Sequence, residues 1–299
     1  MIRSKLGSLM LWIILLAAAA CTPQAAPPSQ NTAPTQAVQA PAPTAVPAAQ
    51  VTAQPVSGSK TLTVLAASSL AASFNELAKT FEAQNPGVKV TVSYAGSQQL
   101  AQQLSQGADA DVFASASPKY IDAAVTAKRV TKADARTFVK NKLAVIYPKT
   151  NTAGLKELKD LARPGVKIDL ADKSVPAGQY SLDFLDKAVK DPGFDPQFKD
   201  NVLKNVVSYE DNVKSVVTKV SLGEVDAGIV YVTDLTADVA SKIDRLVIPD
   251  ALNTVADYPI APISDSKNAG LAKAFVALVL SPDGQALMAK YGFIPAAGK

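Results

Sequence analysis

The chain has 299 residues, with 30 Lys and Arg against 26 Asp and Glu, a single cysteine and no histidine. Without imidazole it lacks the side chain that titrates near neutral pH and the commonest nitrogen ligand of transition metals, and Cys21 leaves no thiol nucleophile beyond the N-terminal segment. No basic stripe, aromatic-interleaved Lys/Arg cluster or run of like charge is present, so nothing points to a nucleic-acid partner.

Arg3 and Lys5 open the chain, Leu9 to Leu16 form an apolar run, and Ala17 to Ala20 supply small residues immediately before Cys21. The run is too short for a span of about 20 apolar residues, and the order of regions is that of an export signal over residues 1–20. The small residues before Cys21 resemble a bacterial lipobox, which implies cleavage there and lipidation of the Cys21 sulfur. Residues 21–59 follow as an uncharged Pro, Ala, Gln and Thr-rich stretch. It cannot bury enough surface to offset its ordering entropy, so it reads as a disordered tether.

Folded sequence begins near Lys60. Thr61 to Ala66 reads as a buried strand, and Leu70, Phe74, Leu77, Ala78 and Phe81 recur at helical spacing until Asn85-Pro86-Gly87 ends the pattern. A strand over Val88–Tyr94, a helix over Gln98–Gln106, a strand over Asp111–Ala114 and a helix opening near Pro118 complete a βαβαβα series. A second set follows, with strands at Leu143–Tyr147, Lys167–Leu170, Val206–Tyr209 and Ala227–Val232. One of its helices starts near Ala177, and another carries Val213, Val216, Val217 and Val220. Strands at Leu246–Ile248 and Tyr258–Ala261 precede helices near Ala269–Leu280 and Pro282–Tyr291.

This order predicts an α/β protein of two lobes, each a mixed, mainly parallel sheet flanked by helices. Residues 60–142 and 234–299 are expected in one lobe and 143–233 in the other, with crossings near 140–146 and 231–235. Ligands of open α/β sheets bind beyond the carboxyl ends of the strands, so two such lobes face each other across a cleft. Hinge closure about a ligand is the behaviour expected of such a pair.

Three strand-to-helix junctions place small residues where helices begin: Ala66-Ala67-Ser68-Ser69-Leu70, Ala95-Gly96-Ser97-Gln98 and Val175-Pro176-Ala177-Gly178. Each serine taken alone reads as an ordinary N-cap. Taken together, the junctions converge unpaired N–H groups and positive dipole ends, which attract an anion. Tyr231, at the end of Ala227-Gly228-Ile229-Val230-Tyr231, reads by itself as a core tyrosine with its hydroxyl at the rim.

The run AASSLAASFNELAKTFEAQNPGVKVTVSYAGSQQLAQQLSQGADADVFASA, followed in order by VPAGQY, EDNV and GIVY, resembles the periplasmic molybdate-binding proteins of ABC transporters over Thr61 to Lys299. The resemblance implies a two-lobed periplasmic-binding-protein fold of type II. It implies an oxyanion held at Ser69, Ser97, Ala177, Val213 and Tyr231, with molybdenum bound as its oxyanion and no direct metal coordination. It implies no cofactor and no catalysis: a lipid-anchored monomer on the outer face of a bacterial membrane, delivering molybdate or tungstate to an ABC permease. Ser68 stands where the family commonly has alanine, so the hydroxyl register could be shifted by one residue; Gln98 replaces a small residue after Ser97. None of the implied ligands is charged, and a donor-only set favours a fully deprotonated dianion such as molybdate, tungstate or sulfate over hydrogen phosphate, whose proton needs an acceptor.

Other readings are a hydrolase built on Asp109 and Asp111, a ferric-iron carrier and a structural surface protein. The two carboxylates lead into a strand and fit a solvated turn. Ferric iron needs several converging anionic oxygens, and Tyr209 and Tyr231 are separated by a helix. The capped cleft argues against a purely structural role.

Overall fold

The computed structural model describes residues 60–296; the expected signal segment, Cys21 and the tether lie outside the described residues. The first sheet starts with β1 (Lys60–Ala67), and a 3₁₀ turn, Ser68–Leu70, runs directly into α1 (Ala71–Gln84). Then come β2 (Val88–Ala95), α2 (Ser97–Ser105), β3 (Val112–Ala114), α3 (Pro118–Thr126) and β4 (Arg136–Asn141). The second sheet is built from β5 (Leu143–Pro148), β6 (Ile168–Ala171), α4 (Pro176–Ala188), α5 (Phe198–Lys204), β7 (Val206–Glu210), α6 (Val213–Leu222), β8 (Ala227–Tyr231) and β9 (Ile243–Val247). The chain returns through β10 (Ala256–Pro262), α7 (Ala269–Leu280), α8 (Pro282–Lys290) and β11 (Ile294–Pro295).

Strand order is β11-β4-β10-β3-β1-β2 in one lobe and β7-β6-β8-β5-β9 in the other. In the first, β1 runs parallel to β2 and β3, while β10 is antiparallel to β3 and β4 and β11 is antiparallel to β4. In the second, β6 is parallel to β7 and β8, and β5 is antiparallel to β8 and β9. Both sheets are therefore mixed rather than mainly parallel. Strands that enter from the other lobe do not arrive through a right-handed βαβ crossover, and they pair antiparallel.

The first crossing falls at Lys142, between β4 and β5. The second is displaced. Residues Ile243–Val247 pair with β5 in the second sheet, so the chain returns between Val247 and Ala256 and not near 231–235. The pattern IDRLV is mostly exposed along that edge strand, which is why its apolar signal is weak. Asn253 fastens the two crossings together: its Oδ1 accepts from Leu143 N–H at 3.0 Å and its Nδ2 donates to Leu143 O at 2.8 Å.

The helical spacing over 70–81 becomes the buried face of α1, where Phe74 and Phe81 pack edge-on against Phe275 of α7, with ring centroids 6.0 and 5.4 Å apart. In the second lobe, Val213, Val216, Val217 and Val220 bury one side of α6, and Gly223 ends the helix at φ +71°, a conformation that favours glycine. These contacts, at about 1.5–3 kcal/mol per buried large side chain, hold the helix starts against the strand ends.

Asp109 and Asp111 part company. Asp109 is exposed and pairs with Lys267 at 3.5 Å. Asp111 is buried, not solvated: it accepts from Thr63 N–H at 2.7 Å, from the Ser266 hydroxyl at 2.5 Å and from Asn268 Nδ2. It fastens β1 to the loop before α7, and the pair is not available as a catalytic dyad.

Candidate functional site

The turns after β1, β2, β6 and β7 each lead into a helical segment, and these starts meet between the lobes. A narrow, half-open cavity of about 10 Å³ lies there. Ala67, Ser68, Ser69, Ala95, Gly96, Ser97 and Ala116 line it from the first lobe, and Val175, Pro176, Ala177, Val213 and Tyr231 from the second. All five residues expected from the sequence face this one space, and Ser68 joins them. It is far smaller than the roughly 300–1,000 Å³ of sites for drug-sized ligands, so only a very small solute fits between the lobes. A shallower depression lined by Thr152, Arg163 and Asp226 shares none of these residues.

The serines do not cap their helices. Ser97 is the first residue of α2, after Gly96; its Oγ accepts from Ala116 N–H at 3.0 Å. Ser69 lies within the 3₁₀ turn, with Tyr258 Oη at 2.9 Å from its Oγ. True side-chain caps occur elsewhere: Ser117 accepts from Lys119 N–H and Ser281 from Gly284 N–H. At the cleft the cap positions are Ala67, Gly96 and Val175, none of which makes a side-chain cap bond. Asn212 caps α6 toward Ser215 N–H, leaving the N–H of Val213 without an intrahelical partner. Backbone donors therefore remain available where the helix dipoles point.

Tyr231 is buried, not at a rim, and its hydroxyl has no hydrogen-bond partner among the described residues. Burial pushes its phenol well above the usual tyrosine range, with Tyr258 beside it adding to the rise, so it keeps its proton and acts as a donor. The two rings meet edge-on with centroids 5.6 Å apart. This tyrosine pair is adjacent in space though far apart in sequence, and burial holds Tyr258 protonated as well. Ferric iron would require phenolates; Tyr209, the other tyrosine considered for iron, is exposed on β7.

No charged side chain lines the cavity. Behind it, the buried Asp234 accepts from Tyr231 N–H at 3.1 Å and lies 3.6 Å from Lys214 Nζ, a compensated pair at the start of α6. Two contacts close the cleft from its mouth. Gln98 Nε2 donates to Asp211 O at 2.8 Å, and the Tyr120 hydroxyl donates to Ser174 O. The backbones approach so closely that a Cβ on Gly96 would stand 2.3 Å from Asp211 O. Gln98, Tyr120, Tyr258 and Ala116 are the participants that sequence reasoning missed. Only Gln98 carried a signal, as a long side chain where a small one is usual.

A closed two-lobed frame around a donor-lined cavity defines the class: a solute-binding protein. Residues 62–294 match the family of bacterial extracellular solute-binding proteins, and the chain belongs to that family. It is 34% identical over 241 residues to the molybdate-binding protein ModA of Mycobacterium tuberculosis, covering 81% of this chain and 87% of that one. It is 31% identical over 234 residues to YvgL of Bacillus subtilis, assigned as an ABC transporter substrate-binding lipoprotein, covering 78% and 86%. Among solved structures, the periplasmic molybdate-binding protein of Azotobacter vinelandii superposes with a TM-score of 0.68 at 20% identity, covering 79% of this chain and 99% of that one, a likeness of fold.

Proposed function

We propose that the protein captures molybdate, and tungstate equally, for an ABC importer, holding one tetrahedral dianion at Ser69, Ser97, Ala177, Val213 and Tyr231. One observation carries this reading: the cavity offers hydroxyl protons and helix-start N–H groups and presents no carboxylate to an anion. Tyr231 has a buried hydroxyl without a partner, and Ser97 Oγ is already an acceptor, so its own proton is free to be donated. Hydrogen bonds to a charged ligand contribute about 1.5–3 kcal/mol each, which offsets the cost of stripping water from a dianion. The relatives named for molybdate direct the choice toward that ion and away from sulfate. The role is capture and delivery to a permease, without catalysis or cofactor, by a monomer.

Calorimetry on the purified protein tests this. Molybdate and tungstate are expected to bind at one site with similar affinity, with hydrogen phosphate at least about a hundredfold weaker; phosphate binding as tightly as molybdate would sink the donor-only reading. The reading places the protein on the outer membrane face through lipid at Cys21, after removal of residues 1–20, with residues 21–59 as tether. Support comes from the residue order around Cys21 and from the lipoprotein assignment of the Bacillus relative. Fractionated cells should show the Cys21→Ala protein released from membranes; retention after signal cleavage would refute the anchor.

A further inference from the structure

Behind Ser69 lies a chain of hydrogen bonds whose direction can be worked out. The amide of Asn141, itself fully buried, is oriented by its neighbour: Oδ1 accepts from Lys142 N–H at 2.9 Å, which turns Nδ2 toward Thr233 Oγ1 at 2.8 Å and Tyr258 Oη at 3.3 Å. An amide NH₂ donates and cannot accept. Tyr258 is fully buried, and its own hydroxyl proton needs an acceptor. Of its two partners, Asn141 Nδ2 offers no lone pair, so the proton goes to Ser69 Oγ, 2.9 Å away. Ser69 is thereby an acceptor on its inner side, and its own proton is not spent on Tyr258 and is free for the cavity that Ser69 lines.

We propose that Asn141 and Tyr258 are positioning residues that keep the Ser69 proton available to the cavity, and so bias the site toward a fully deprotonated oxyanion over one that retains a proton. The inference rests on the oxyanion reading above. With Tyr258 taking one of its two lone pairs, Ser69 keeps its proton and a single lone pair for the cavity, so it favours a ligand oxygen that accepts over a ligand hydroxyl that donates. Were the pair reversed, with Ser69 donating to Tyr258, the serine would present lone pairs outward and hydrogen phosphate could donate to it. The direction originates at Lys142, the residue that crosses between the lobes, so the polarity of the site is tied to the crossing itself.

The test is the ratio of dissociation constants for hydrogen phosphate and molybdate at neutral pH. Tyr258→Phe keeps the ring and removes the proton, freeing Ser69 to rotate. Molybdate affinity is expected to fall about threefold to tenfold, the weight of one modest hydrogen bond, while the phosphate-to-molybdate ratio narrows by about tenfold. Asn141→Asp replaces the donor by an acceptor, reverses the chain independently and should narrow the ratio in the same sense. In a Ser69→Ala background, Tyr258→Phe should leave the ratio unmoved, since the effect passes through Ser69. Equal losses for both anions, or an unchanged ratio in both variants, overturn the positioning role. A wild-type protein that binds no tetrahedral dianion overturns the underlying reading instead.

Discussion

The two lobes meet the same cavity with different chemistry. The first contributes rotatable hydroxyls, Ser68, Ser69 and Ser97, whereas the second contributes helix-start backbone at Ala177 and Val213 and one phenol, Tyr231. A hydroxyl can be removed by a single substitution; a backbone N–H can be moved only with its helix. The lobes differ likewise in how they treat a buried carboxylate. Asp111 of the first lobe is surrounded by donors, while Asp169, on β6 of the second, is fully buried with neither oxygen partnered among the described residues. Among the described residues the first lobe leaves only two neutral amide oxygens unpartnered, those of Gln98 and Gln285, whereas the second leaves a phenol and a carboxylate unmatched.

The strongest way to break this comparison is Ser69→Ala. Loss of one charge-assisted bond from the hydroxyl lobe should weaken molybdate binding by about 1.5–3 kcal/mol, roughly tenfold to a hundredfold, without abolishing it, because the N–H donors of the other lobe survive. Titration calorimetry on the variant gives the number; complete loss would mean the backbone donors contribute little.

A middle-sized effect is expected at Asp169. Burial, reinforced by Glu210 nearby and opposed by Lys219, pushes its carboxyl up to about 7. Between the ordinary carboxylate range and about pH 7, the folded state holds a proton that the unfolded chain has released. Stability should therefore fall as pH rises through that window and level off above it. Asp169→Asn cannot ionise, so its stability relative to wild type should improve on going from pH 5 to pH 8, by on the order of 1–2 kcal/mol. Denaturant titrations at the two pH values check this, and a constant difference would show that Asp169 does not titrate in that range.

The smallest expected effect is Ser68→Ala. Its hydroxyl lines the cavity, but the bonded chain from Asn141 ends on Ser69. Affinity should change by less than about 0.5 kcal/mol, the size of an ordinary surface substitution. A larger loss here than at Ser69 would shift the register of the hydroxyl lobe by one residue.

Much of the frame was legible in the residues. The apolar periodicity of α1 and α6 and the buried strands β1, β3, β5 and β8 are local patterns, and the five expected site residues share one cavity because strand ends and helix starts are local features too. What escaped depended on distant partners. The strand β4 and the seven-residue α5 lack a clear period, and the edge strand β9 is mostly exposed. Asp111 looked like a turn residue until Ser266 and Asn268, more than 150 positions away, supplied its donors. The same holds for Tyr258, which reaches Ser69 across 189 positions. A lone serine before a helix reads as a cap because the cap is the local solution; only the tertiary partner shows that the hydroxyl has been turned to another use.

The mouth contacts set a clock. With Gln98 resting on Asp211 O, Tyr120 on Ser174 O and Gly96 against the opposite backbone, a bound ion cannot leave until these contacts part. Dissociation then proceeds no faster than the lobes open, whatever the strength of the donors inside. Residence time is thus governed at the rim and chemical selectivity at the floor, so a receptor of this build can change how long it holds its cargo through residues that never touch it.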